Sequence, residues 1–98
     1  NYQRLLVVLL SACGLDVVPE ATQAAGRADV VAKALGNVYI FELKVGGTAQ
    51  EALAQIHARD YAAPYRAGAK AIHLFGLAFD PAKHILLDAV HEALTPAN

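Results

Sequence analysis

Three ionisable residues stand out by type and spacing: Asp29, then Glu42 and Lys44 two positions apart. Each acid or base is flanked by strongly apolar neighbours. Arg27 to Leu35 and Val38 to Val45 read as two strands, and Gly36-Asn37 between them is a two-residue hairpin signal. Pairing Leu35 with Val38 predicts Asp29 across from Lys44 and Val31 across from Glu42. Directly opposed residues share a face, as do residues two apart on one strand. Asp29, Glu42 and Lys44 are therefore expected on one side of the sheet. Tyr39, Phe41, Leu43 and Val45, with Ala28, Val30 and Ala32, are expected on the other, as an apolar surface for a helix to cover. Two adjacent carboxylates make a site for a hard divalent cation, with carbonyls and waters completing the oxygen shell. Such an ion acidifies water and offsets charge building on a phosphate, and a nearby lysine adds to that stabilisation. The same spacing also fits a cross-strand Asp29–Lys44 salt bridge, worth ~1 kcal/mol or less when exposed. Spacing alone leaves both open.

The elements that must position these residues follow from the rest of the pattern. A first helix is expected from about Tyr2 to Cys13, closed by Gly14. Asp16 to Glu20 reads as a short strand with Pro19 at an edge or exit, and Ala21 to Gly26 as a loop. After the hairpin, Gly46-Gly47 lets the chain turn. Thr48 and Glu51 have capping-box spacing, so a second helix should start there and run toward Asp60. Ala71 to Phe79 is nearly continuous in apolar residues, as for a strand buried on both faces. His84 to Leu87 is expected as a further strand and Asp88 to Leu94 as a short closing helix. The order α-β-β-β-α-β predicts an α/β (α+β) fold with a mixed sheet, antiparallel in the hairpin, and helices on its faces.

Composition bounds what such a chain can be. Its 98 residues suit a single domain, read here as residues 1–98. Apolar residues make up 56%, but 21 positions are Ala, so the core is expected to be thin and some apolar surface to await a partner. Eight Lys and Arg against nine Asp and Glu exclude a strongly basic, histone-like nucleic-acid binder. The single cysteine excludes a disulfide scaffold and a Cys-based zinc cluster. The absence of Met makes Asn1 an unexpected native start, and the chain is expected to be a fragment of a longer one. Arg4 to Cys13 ends in Leu10-Ser11-Ala12-Cys13, which resembles a bacterial lipoprotein processing box. Its apolar stretch is too short for a bilayer span, and a buried amphipathic helix with Cys13 in the core is the preferred account.

Gly26-Arg27-Ala28-Asp29-Val30-Val31 followed by Val38-Tyr39-Ile40-Phe41-Glu42-Leu43-Lys44 resembles the Asp…Glu-x-Lys signature of the PD-(D/E)xK nuclease superfamily. Thr48 to Ile56, Tyr61 to Tyr65 and Lys70 to Phe79 resemble the branch often found behind an AAA-type ATPase-like region in bacterial and archaeal proteins. The likeness implies a restriction-endonuclease-like core and Mg²⁺- or Mn²⁺-dependent phosphodiester hydrolysis in the cytoplasm. It implies Asp29 and Glu42 as metal ligands, the Leu43 carbonyl as a third, and Lys44 as the catalytic lysine. Glu20 falls where relatives carry a further acid that contacts metal through water. Gln55 falls where they carry a polar residue facing the active centre. Gln55, Arg27 and Arg59 are the candidate substrate contacts. Ala28 stands at the signature's proline position, a departure that removes no functional group.

The expected partner is nucleic acid, with DNA the first expectation and RNA left open by the sequence, an ATPase-like region in cis or a second copy as a homodimer, and no membrane. Only a modest basic rim (Arg59, Arg66, Lys70) is available for phosphates, so tight independent binding is not expected. The alternative is a non-catalytic nuclease-fold module for interaction or oligomerisation, favoured by the Ala-rich, low-charge composition and opposed by the intact triad. His57, His73, His84 and His91 show no metal-site spacing; His73 is expected in the core. Tyr61 and Tyr65 fit either base stacking or packing under a loop.

Overall fold

The structure is a computed structural model that describes residues 1–18, 22–23 and 26–95, with the backbone alone described at 22, 23 and 27. Its elements run α1 (Tyr2–Ala12), β1 (Asp16–Val17), β2 (Thr22–Gln23), β3 (Gly26–Arg27), β4 (Val30–Ala34), β5 (Asn37–Val45), α2 (Ala49–Ala58), a 3₁₀ turn (Ala63–Tyr65), β6 (Ala71–Phe79) and β7 (Leu86–Leu94). Five strands form one mixed sheet in the order β1-β4-β5-β6-β7. Only β5 and β6 are parallel, which is why α2 must cross between them. This is the mixed α+β architecture expected, with a restriction-endonuclease-like core.

The helices begin and end where their residues dictate. Asn1 caps α1 by accepting the Arg4 N–H at 3.1 Å. At its other end Leu15 N bonds Leu10 O and Gly14 N bonds Ser11 O, a Schellman turn with Gly14 at φ +93°. Thr48 and Glu51 form the expected capping box on α2, at 2.8 and 3.0 Å. The end of α2 repeats the Schellman turn without glycine: Tyr61 N bonds Ile56 O, Asp60 N bonds His57 O, and Asp60 takes φ +49°.

The hairpin register differs from expectation by two residues. Ala34 pairs with Asn37 and Val30 with Phe41, so the turn is centred on Leu35-Gly36, at φ +52° and +85°. Positive φ at both positions is the type I′ geometry that matches strand twist. The Gly36 carbonyl accepts the Lys70 N–H at 2.9 Å, which ties this turn to the strand that follows α2. A two-residue shift preserves side-chain alternation, so the three ionisable residues still share a face.

That face is the one α2 covers. Val31, Val38, Ile40, Ile72 and Leu74 pack with Ile56, Tyr61 and Ala62 in a single core. Gly76 makes the close approach possible: a Cβ there would overlap the Ala49 carbonyl and lie 2.9 Å from Leu53 N. The apolar face expected to be covered by a helix is instead half-exposed along β6, where burial alternates strictly. It carries a row of rings, with Phe41–Phe75 centroids 4.8 Å apart and Tyr39–His73 5.3 Å apart. The two-sided burial expected of β6 and the core placement of His73 are thus corrected; His73 is half-buried and shares a 2.8 Å bond with His91.

Three further expectations are revised. The Ala21 to Gly26 stretch contains the paired strands β2 and β3 in its described part. Asp88 to Leu94 is strand, not helix: pairing with β6 and stacking of His91 on Phe75 at 4.8 Å override the helix preference of Ala, Glu and Leu. α1 has no fully buried residue and Cys13 is exposed, so neither is core. Among the described residues no helix is long and apolar enough to cross a membrane.

Candidate active site

Asp29 immediately precedes β4, and Glu42 and Lys44 lie on β5. Extending the register by one residue puts Asp29 across from Glu42 rather than Lys44. The two acids then reach across the ladder reciprocally. The Asp29 carboxylate accepts the Leu43 N–H at 2.8 Å, and Glu42 Oε1 accepts the Asp29 N–H at 3.3 Å. Their convergence is the feature that spacing left open. The Asp29–Lys44 salt bridge is not formed.

Glu42 is the one buried charged residue among those described, at 5% exposure. Burial first, and the neighbouring Asp29 charge second, push its carboxyl up from 4.5 to about 7; the Asp29 N–H and the Lys44 ammonium pull the other way without prevailing. Two acids so placed lack an adequate counter-charge. Hard oxygen donors in that state fit a hard divalent cation. Among the described residues no group of three or more His, Cys, Asp or Glu side chains gathers to hold a metal. Among the described residues the carboxylates gathered here are two, Asp29 and Glu42.

Lys44 is held by α2. Its Nζ donates to Gln55 Oε1 at 2.6 Å, while Gln55 Nε2 donates to Glu42 Oε2 at 2.7 Å. One amide thus bridges the lysine and the buried acid. Gly47 gives room for this arrangement, since a Cβ there would lie 3.2 Å from Lys44 Cβ and from Glu51 Oε1. Two partners were not legible in the sequence. Tyr61, 2% exposed, accepts from Gln55 Nε2 at 3.1 Å, which corrects the base-stacking reading for that residue. Gln3 of α1 donates to the Asp29 carbonyl at 2.6 Å and so latches the first helix to the same end of the sheet.

Glu20 lies outside the described residues, as does the side chain of Arg27. Arg59 is exposed at the C-cap of α2, its guanidinium facing Gly26. The basic rim expected of Arg59, Arg66 and Lys70 does not assemble. Arg66 is bonded to Asp60 at 2.6 and 3.1 Å, holding that carboxyl below its usual range. Lys70 packs against Gly36 at the hairpin turn, the opposite end of the strands. Lys33 lies 5.5 Å from the Tyr65 ring centroid, which bears on the stacking role once open for Tyr65.

The profile of the PD-(D/E)XK nuclease superfamily matches residues 1–89. The chain is also similar to an uncharacterized protein in the vnfD 5′ region of Azotobacter chroococcum mcd 1, with 38% identity over 86 residues. That match takes in 86% of this chain and 17% of the relative, so the chain spans about a sixth of that protein's length. No solved structure matches the chain.

Proposed function

The chain belongs to the PD-(D/E)XK nuclease superfamily, and from that premise we propose that it is a metal-dependent phosphodiester hydrolase acting on nucleic acid, with DNA as substrate. The observation that carries this reading is the Asp29–Glu42 pair, cross-braced by backbone hydrogen bonds, with Lys44 tied to Glu42 through Gln55.

Asp29 and Glu42 would hold the ion, Mg²⁺ or Mn²⁺, with the Leu43 carbonyl as third donor. A strand residue presents its N–H and C=O toward the same side, and the Leu43 N–H points at Asp29. Glu20 is a further candidate acting through water. The bound ion would acidify water and offset phosphate charge. Lys44, an ammonium with two further protons beyond the one Gln55 accepts, would donate to a phosphate oxygen as negative charge builds there. Gln55 keeps that ammonium from collapsing onto Glu42. Gln55, Arg27 and Arg59 would contact the substrate. With Arg66 and Lys70 committed elsewhere, the remaining phosphate contacts would come from an ATPase-like region of a longer chain or from a second copy. The site of action would be the bacterial cytoplasm, and residues 1–98 would act as one domain.

The half-exposed ring face of Tyr39, His73 and Phe75 favours a second reading, a nuclease-fold module retained for interaction. Calorimetric titration of Mn²⁺ into wild type and Asp29→Ala separates the two. The hydrolase reading expects heat from wild type alone and strand cleavage lost in Lys44→Ala; equal heats from both proteins overturn it.

A further inference from the structure

We propose that Tyr61 is a positioning residue, which fixes the Lys44 ammonium through Gln55. The inference rests on the reading of Lys44 as the lysine of a hydrolytic site. It comes from the way the end of α2 is built. A helix running Ala49–Ala58 would ordinarily lead the chain away from its own buried face. Here the Schellman turn returns it: Tyr61 N bonds Ile56 O, and Asp60 takes the left-handed conformation that glycine takes at the matching place after α1. Asp60 is tied down by Arg66 at 2.6 and 3.1 Å. The result is a buried tyrosine whose hydroxyl lies 3.1 Å from Gln55 Nε2.

Donor and acceptor chemistry then orders the chain of contacts. An ammonium only donates, so Gln55 must turn Oε1 toward Lys44 and Nε2 toward Glu42. Nε2 carries two protons, and Glu42 Oε2 and the Tyr61 hydroxyl accept one each. With both accepted, the amide has no free rotation left, and neither has its oxygen. Gln55 would otherwise be a half-buried side chain with several rotamers, and Lys44 would follow it. The Tyr61 hydroxyl meets the amide, and the amide meets Glu42 and Lys44, so the effect of Tyr61 on the lysine passes through Gln55.

Tyr61→Phe keeps the ring and removes the hydroxyl; Tyr65→Phe, at the far end of the sheet, is the control. The first readout needs no substrate: the Lys44 ammonium resonance in ¹⁵N-resolved spectra at low temperature, visible only while its protons are held. The signal is expected in wild type and Tyr65→Phe, broadened in Tyr61→Phe and absent in Gln55→Ala. The second is cleavage kinetics, where Tyr61→Phe should lower kcat about two- to tenfold with KM unchanged, the range of one neutral hydrogen bond. A Lys44 resonance in Tyr61→Phe identical to wild type overturns the proposal. A broadened resonance in a protein that cleaves nothing supports Tyr61 as the positioner and removes the hydrolase reading alone.

Discussion

Replacing Glu42 with Gln should make the metal-free protein more stable at alkaline pH, although it removes a charge from the centre of the site. Glu42 is raised from 4.5 to about 7 by burial and by Asp29. A carboxyl that binds its proton more tightly when folded carries no penalty below 4.5, where it is protonated in both states. Between 4.5 and about 7 the unfolded chain releases the proton and the folded one keeps it, so stability falls as pH rises. Above about 7 both are ionised and the full cost stands, about 3 kcal/mol at 25 °C. Against the 5–15 kcal/mol of roughly this size of domain, that is a large share. The assay is urea denaturation of wild type and Glu42→Gln in EDTA across pH 5 to 8, with equal m-values required. The histidines titrate in the same window, so only the difference between the two proteins is read. That difference should grow by about 3 kcal/mol in favour of the variant, and Asp29→Asn should shrink it by removing the second cause. Saturating Mn²⁺ should restore wild type alone. Parallel stability curves for wild type and Glu42→Gln would refute the burial of an uncompensated acid pair.

Leu35→Asn should stabilise the hairpin by about 1 kcal/mol, because Asn tolerates the left-handed conformation that Leu35 holds at 92% exposure, where its side chain packs on little. Gly76→Ala should cost about 1–3 kcal/mol or more, since its Cβ meets backbone of α2 rather than a side chain that can yield; the same denaturation assay reads it, and an unchanged midpoint would mean α2 sits farther from β6. Thr48→Ala should cost about 1 kcal/mol through the lost capping box and leave the Lys44 ammonium signal in place.

Most of the architecture was legible because it rests on local rules. Helix ends followed Asn1, Gly14, Thr48 and Glu51, and the two central strands followed their alternation. The grouping of Asp29, Glu42 and Lys44 on one face was legible too, because alternation survives a two-residue error in register. What escaped was set by tertiary contact. Nothing local in Asp88 to Leu94 reports that β6 offers an unpaired edge, and helix-compatible residues there follow the partner strand. A nearly unbroken apolar run in β6 does not reveal that one of its faces stays partly open. Tyr61 could not be placed at Gln55, because Asp60 is an uncommon residue for a left-handed helix terminus.

Two of the places where local preference loses help to build the site. A turn on Gly36-Asn37 would put two residues tolerant of positive φ at its centre and set Asp29 against Lys44 as a plain ion pair. The chain instead puts Leu35 into that conformation, at a cost of about 1 kcal/mol, and sets acid against acid. Asp60 accepts a similar strain one turn beyond α2, and the tyrosine it delivers holds the amide that keeps Lys44 away from Glu42. Each choice moves the protein away from the neutralised pair that stability alone would favour. Two strained residues and a buried, under-compensated carboxylate all serve one arrangement: adjacent acids with a lysine withheld beside them. Relaxing all three would add stability to the ligand-free chain, and a cation between the acids, as proposed, is what would offset that cost.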